Sequence, residues 1–234
     1  MAAIDRSVVA HLAPFSSLDG SEIDALLSEA RALRFAKGAH VFEQGGDAHS
    51  FYVLLHGHVQ AVKTTPDGQQ IVMRYISPGE VFGIATAIGV SAYPATAIAV
   101  VESVALGWPS AAWSRIAARY PSFIASTLQT VGQRLQDAQT RIIEAATEAV
   151  ERRVAHALLR LAQQAGRKIE RGIEIDFPIS RQDIAEMTGT TLHTVSRILS
   201  AWEKRGLVAS GRRRIVIRDA HQLFVVAERP GEEE

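Results

Sequence analysis

The chain has 234 residues, 47% of them hydrophobic, and its 25 basic residues balance 25 acidic ones. That length accommodates two compact domains, and the absence of cysteine excludes disulfides, a Cys-ligated iron–sulfur cluster and a zinc ribbon. No apolar run approaches the ~20 residues of a membrane helix and the N-terminus lacks a signal-peptide pattern, so a soluble, cytoplasmic protein is expected.

In chain order, Asp19–Arg31 reads as a short helix with Ile23, Leu26 and Leu27 on its apolar face. Strand-like runs follow at Arg34–Ala36, His40–Phe42, Phe51–Leu55, Val59–Lys63, Ile71–Ile76, Ala97–Val101 and Val104–Trp108. Glycines punctuate them, Gly57, Gly68 and Gly79 at intervals of eleven residues. Thr65-Pro66-Asp67-Gly68 is a hairpin-tip signal. Short strands at regular spacing, without βαβ units, predict a β-roll or sandwich as a domain over residues 12–110.

A helical region is expected over 111–150. Within it Ile124, Leu128, Val131, Leu135, Ala138, Ile142, Ala145 and Ala149 succeed one another in alternating steps of four and three. Such a heptad seam is the pattern of a coiled coil, and the small alanines suit close approach of a second helix. Part of the seam could instead pack on the chain's own β-roll. A homodimer is the expectation.

The segment Pro178–Ala201 reads as a helix, a tight turn and a second helix. Ser180 and Asp183 form a helix-start pair, Ile184, Ala185 and Met187 an apolar face, and Gly189 stands where a left-handed residue is needed. Thr190 or Thr191 caps the second helix, with Leu192, Val195 and Leu199 expected to pack inward. Thr191, His193, Thr194, Ser196 and Arg197 then lie on the early, outward side, which a helix-turn-helix presents to base edges in the major groove. After Trp202, Leu207 and Val208, the run Arg212-Arg213-Arg214 precedes an alternating strand, as in a wing that touches phosphates. Arg181 is a further phosphate candidate. From Pro178 to Arg218 eight basic residues face three acidic ones, so the neutral total conceals a local excess of five positive charges. Residues 151–224 are read as a winged helix-turn-helix domain for double-stranded DNA, and 225–234 as an acidic tail.

These parts in this order, together with Phe42-Glu43-Gln44-Gly45, Phe51–Gly57, Pro78-Gly79-Glu80-Val81-Phe82-Gly83 and the Ser196-Arg197 pair, resemble the Crp/Fnr family of bacterial transcription regulators. The resemblance runs from about Leu12 to Asp219. It implies an α+β protein: an N-terminal effector-sensing β-roll of the cyclic-nucleotide-binding type, a long dimerisation helix and a C-terminal winged helix-turn-helix. It also implies a palindromic DNA site, contact with RNA polymerase and no enzymatic activity. No catalytic constellation is visible in the residues themselves.

At the ligand site the chain departs from the family. Cyclic-AMP binders carry a glutamate soon after the Gly83 position and an Arg-Ser or Arg-Thr pair further on. Here Ile84-Ala85 and Pro94-Ala95 occupy those places. Arg134 aligns with a family arginine, but its neighbours Ala138 and Gln139 replace a Thr-Ser pair. A cyclic phosphate needs a cation or a nest of amides, so the sequence argues against cyclic AMP. The expected pocket is apolar: Val81, Phe82, Gly83, Ile84, Ile88 and Tyr93, joined by Leu128, Val131 and Arg134 from the long helix. The segments around Thr64–Gly83 and Tyr93–Val100, with Thr190–Arg197, resemble the subgroup of denitrification and nitric-oxide regulators, for which a haem is implied. A haem needs an axial ligand, most often His; among His11, His40, His49, His56 and His58, the preferred candidate is His11. A Cys-ligated iron–sulfur cluster is excluded. Many Fnr-like proteins place glutamate where His193 stands, so a different base preference is expected at that step, with Arg197 bidentate to guanine.

Overall fold

The computed structural model describes residues 5–228. Of the expected acidic tail, residues 225–228 instead end a helix with Val226 and Ala227 buried, and those from 229 on lie outside the described residues. The chain forms two compact units: one runs to Gln136 without Gln70–Val72, and the other takes Gln70–Val72 and the residues from Asp137 on, so the main boundary falls inside one long helix.

The first unit opens with a 3-10 turn at Arg6–Val8 and helix α1 (Gly20–Ser28). Asp19 caps α1: its carboxylate accepts from the Ser21 and Glu22 N–H groups, while that of Glu22 accepts from Asp19 N–H. The helix ends at Ser28, before the sequence pattern suggested, because Arg31 already belongs to strand β1 (Arg31–Phe35). Strands β2 (His40–Phe42), β3 (Ser50–His56), β4 (Val59–Thr64), β5 (Gln70–Ile76), β6 (Val81–Phe82), β7 (Thr96–Ala99) and β8 (Ser103–Pro109) complete two four-stranded sheets, ordered β1-β8-β3-β6 and β2-β7-β4-β5. Two-residue β6, flanked by Pro78-Gly79 and Gly83, leaves no periodic signal in the sequence.

Alternation along the strands divides the interior in two. Tyr52 and Leu54 of β3 meet Val59, Ile76, Phe82, Ala97 and Ala105 in one cluster, which takes side chains from both sheets. Phe51 and Val53 point to the other face, into a second cluster with Val9, Phe15, α1, Val81 and Trp108. Buried on both faces, β3 is a continuous apolar run, Phe51–Leu55. At Gly57 (φ +84°) a Cβ would come within 2.5 Å of the Glu102 carbonyl, so only glycine closes the β3–β4 turn.

The expected helical region is two helices, α2 (Trp113–Arg119) and α3 (Pro121–Thr147). Pro121 lacks an N–H and starts α3 as its first residue, which interrupts the run. The far end also differs from expectation. Ala149 lies beyond α3 with an extended backbone (ψ 149°), so the helical seam closes at Ala145.

The second unit continues with α4 (Val150–Ala165), β9 (Gly166–Ile169), β10 (Gly172–Ile175), α5 (Arg181–Thr188), α6 (Leu192–Lys204), β11 (Val208–Gly211), β12 (Arg214–Ile217) and α7 (Ala220–Glu228). Its sheet is ordered β11-β12-β10-β9. The β9–β10 hairpin escaped sequence reading because its charges obscure the alternation. Val154, Leu158, Ile184, Val195, Leu199, Trp202, Leu207 and Leu223 form the core, and Trp202 Nε1 donates to the Glu151 carboxylate at 2.7 Å. Among the described residues no helix is long and apolar enough to cross a membrane.

Candidate functional site

The helix pair is built by local chemistry. Ser180 and Asp183 form a capping box at α5, and Gly189 ends that helix in the left-handed region (φ +63°), its N–H donating to Ala185 O. Thr191 begins α6 with its side chain accepting from Thr194 N–H at 3.2 Å, and the two hydroxyl oxygens lie 3.0 Å apart. Of the residues expected to face DNA, His193 and Arg197 are exposed and Ser196 is half-buried. Thr191 and Thr194 spend hydrogen-bonding capacity on each other. Leu192 departs from expectation: it is exposed rather than packed inward, and the inner face of α6 is Val195, Ile198, Leu199 and Trp202.

The basic residues around α6 fall into two groups. Arg212 and Arg213 form the turn between β11 and β12 and are exposed. Arg214, expected to share their role, is instead ion-paired with Glu174 of β10, which also holds Arg167 at 2.9 Å. Both arginines hold the Glu174 carboxyl below its usual range, Arg214 most strongly. Arg181 likewise turns inward: it donates to Ser210 Oγ at 2.8 Å and lies 3.9 Å from Glu203. Glu203 in turn accepts from the Ser210 hydroxyl and N–H, which keep its carboxyl low against the opposing effect of burial. Arg181 and Arg214 brace the wing; Arg212 and Arg213 are its outward charges.

Arg213 carries a cost. It is the non-glycine residue with positive φ (58°) among those described, and a side chain in that region is strained by about 1 kcal/mol. Arg213→Gly is therefore expected to raise the unfolding free energy by about 0.5 kcal/mol, after the entropy glycine loses on folding. The same change should lower DNA affinity and reduce the salt slope of binding by about one. Denaturant melts and a titration over several salt concentrations test both halves.

In the first unit the expected pocket residues do not line one space. Val81 and Phe82 are neighbours on β6 and face opposite clusters. Gly83 (φ +71°) lies close to Tyr52 and Phe42, and Ile84 packs at the edge of the helix-side cluster. Tyr93 stacks on Phe42 at 3.9 Å, and its hydroxyl donates to Ser50 O (2.6 Å) while accepting from Ser50 N–H (3.1 Å). Ile88 and Leu128 are mostly exposed, at 58% and 60%, and Val131 is half-buried. The cleft between Phe51, Ile84, Thr86, Ser110 and Trp113 is shallow and encloses no room for a water-sized molecule.

Arg134 sits at a charge cluster that the sequence did not reveal. Its Nη2 donates to Val81 O at 2.6 Å and approaches Glu80 at 3.2 Å, while Arg74 Nη1 reaches the same carboxylate oxygen at 2.6 Å. Ser77 N–H donates to the other oxygen at 2.9 Å. Burial pushes Glu80 up, but Arg74, Ser77 N–H and Arg134 outweigh it and hold the carboxyl below its usual range. Burial and the nearby Arg74 charge bring the Arg134 guanidinium down to about 10. The only sequence signal was Glu80 in a Pro-Gly-Glu turn, and six residues from Arg74.

The histidines do not assemble a haem site. His11, the preferred candidate, is exposed, and it is Leu12 that packs toward Gly79. His49 and His56 are exposed as well, and His40 pairs with Glu43 at 3.1 Å. Among the described residues no group of three His, Asp or Glu could hold a metal ion. The expected pocket residues are divided between two clusters and exposed His11 is in neither, so His11 and these residues do not outline a haem site together.

Comparison with known proteins places both units. A Crp-like helix-turn-helix domain matches residues 152–224 and a cyclic nucleotide-binding domain matches residues 32–120. The cyclic AMP receptor protein of Thermus thermophilus is 28% identical over 213 residues, covering 91% of this chain and 95% of that one. The transcriptional regulator LdrP of the same organism is 30% identical over 191 residues, 81% of this chain and 93% of LdrP. FixK2 of Bradyrhizobium japonicum has the same fold, with a TM-score of 0.75 at 23% identity over 86% of this chain and 99% of that one. The fold and these matches define a transcription regulator with a DNA-binding helix-turn-helix and an effector-binding domain. The chain belongs to the Crp/Fnr family, whose members act as regulators rather than enzymes, bind DNA and work as dimers.

Proposed function

We propose that two copies of this chain, joined along α3, bind a palindromic promoter site whose half-sites lie about one helical turn, ~34 Å, apart. The observation that carries this reading is the exposed row Leu192, His193 and Arg197 on α6, beside a wing tipped by Arg212 and Arg213. Arg197 makes the bidentate contact to guanine, and His193 sets the neighbouring base. Arg197→Ala is expected to weaken binding to a selected site about tenfold or more and to leave the affinity for random DNA nearly unchanged. Fluorescence anisotropy at fixed salt measures both; equal loss on both duplexes would make Arg197 a phosphate contact.

The β-roll receives the signal and α3 carries it. A ligand that binds the DNA-competent arrangement more tightly shifts the population toward it. The backbone turns at Ala149, between α3 and α4, where Glu144 holds Arg160 and Glu148 holds Arg152 at 3.0 Å. These pairs are the contacts such a shift would have to keep or break. Contact with RNA polymerase follows from the family resemblance.

The effector is not a cyclic nucleotide on this reading. The stretch Ile84–Ala95 carries no basic residue, and Arg74 and Arg134 are engaged by Glu80. A nitric-oxide or redox signal is supported by sequence resemblance alone. A haem titration followed at the Soret band, then exposure to nitric oxide, decides that signal.

A further inference from the structure

Two arginines and a backbone N–H converge on one carboxylate in the first unit. Glu80 closes the turn that leads into β6, and both of its oxygens are taken. Oε1 accepts from Ser77 N–H at 2.9 Å, while Oε2 accepts from Arg74 of β5 at 2.6 Å and from Arg134 of α3 at 3.2 Å. The same Arg134 nitrogen donates to Val81 O at 2.6 Å. Guanidinium pairs and backbone amides are the donors with which proteins hold a bound oxyanion. Here the anion is part of the chain. Its position decides what the contact does. Phe123 and Thr127 bury the start of α3. Arg134 lies on the same face of the helix, about 10 Å beyond Thr127, whereas Leu135 and Gln136, the last residues of this unit, are exposed. A helix attached near one end can pivot about that point. A second attachment two turns further on fixes its direction against the sheets.

We infer that Glu80 serves as a built-in anionic ligand, which holds Arg134 and so fixes α3 in its DNA-competent direction with no added effector. This assignment rests on the DNA-binding dimer proposed above. A palindrome is read only when both copies are held at a fixed spacing. A fixed α3 therefore favours binding, because fewer orientations have to be given up when the two copies engage the site. A tethered carboxylate meets its arginines at a high effective concentration, so it keeps the cation pair occupied against a soluble anion. Glu80 and Arg134 are thus positioning residues, remote from the bases, and any signal acts on a chain that already binds DNA.

The test uses the full chain, freed of small molecules by gel filtration, and a duplex enriched from a random library by binding. In fluorescence anisotropy the wild type is expected to bind this duplex with nothing added. Glu80→Ala, which leaves room for a small carboxylate, should lose about tenfold in affinity, within the usual range of coupling between sites. Acetate in place of chloride at equal ionic strength should return most of that loss, and should give neither the wild type nor Arg134→Met a comparable gain. Circular dichroism at the assay temperature verifies that each variant is folded. If the alanine variant is not, Glu80→Gln, which retains an acceptor for Ser77 N–H, carries the test and should lose affinity in the same direction. A folded Glu80 variant that binds as tightly as the wild type would overturn the assignment, as would a loss that acetate repairs no better in Glu80→Ala than in Arg134→Met. So would a wild type that binds random duplex but selects no sequence until an effector is added. A wild type with no affinity for any duplex at low salt would instead overturn DNA binding itself, and the two results are distinguishable.

Discussion

Replacing Leu135 and Ile142 together by glutamate is expected to leave the protein monomeric at micromolar concentration and to cut its affinity for a palindromic site at least about a hundredfold. Leu128, Leu135, Ile142 and Ile143 are 60%, 60%, 69% and 63% exposed in the single chain. Large aliphatic side chains at heptad spacing on one helix form a face that water covers poorly. Each contributes about 1.5–3 kcal/mol when a second helix buries it, and a glutamate there would have to be desolvated without a partner. Ala138 and Ala145, also exposed, let two backbones approach between the large residues. Because the seam residues are already open to solvent, the substitution should spare the fold of each chain. Sedimentation velocity and anisotropy on full-site and half-site duplexes separate the outcomes. A dimer that persists in the double variant would place the interface elsewhere.

Removing the Glu80 carboxylate is expected to cost about 3 kcal/mol of stability, the scale of a buried ion cluster left without its counter-charge. Glu80→Ala would leave Arg74 and Arg134, each 22% exposed at the side chain, sharing one region with no anion between them. The backbone would lose as well, because Ser77 N–H would lose its carboxylate acceptor in the Pro78-Gly79 turn that leads into β6. Glu80→Gln keeps an acceptor there and should lose less, about 2 kcal/mol. The pH dependence gives a second readout. A carboxyl whose pKa is depressed on folding contributes stability that is fully present above the unfolded value of about 4.3 and vanishes as pH falls through the folded value. The wild type should therefore lose stability below about pH 4 more steeply than Glu80→Gln, when unfolding by denaturant is followed at several pH values. Parallel curves would show that the cluster contributes nothing specific.

Some of this was legible in the residues. The Ser180–Asp183 pattern is a capping box, Gly189 is left-handed, and the strands fall close to where alternation put them. Pro121 also carries a helix-start signal, since proline at a first helical position follows from its missing N–H, while the heptad seam marks only the helix that Pro121 starts. The candidate pocket was legible only as a list of apolar residues. Val81 and Phe82 read alike in composition, but adjacent positions on a strand face opposite ways, and two separate clusters receive them. The arginines of the wing also read alike. Glu174, forty residues before Arg214, and Ser210 with Glu203, more than twenty after Arg181, decide that these two are braces.

The sequence by itself determined the order of the parts, the helix starts, the tight turns and the apolar seam of α3, because each follows from sterics and hydrogen bonds within a few residues or from a simple period. Only the tertiary structure decided which cations remain free, that Arg134 belongs to Glu80, that Ala149 leaves the helix and that Leu192 is bare. Exposure and pairing depend on what distant segments bring alongside, and a side chain's own neighbours in the chain carry no record of that.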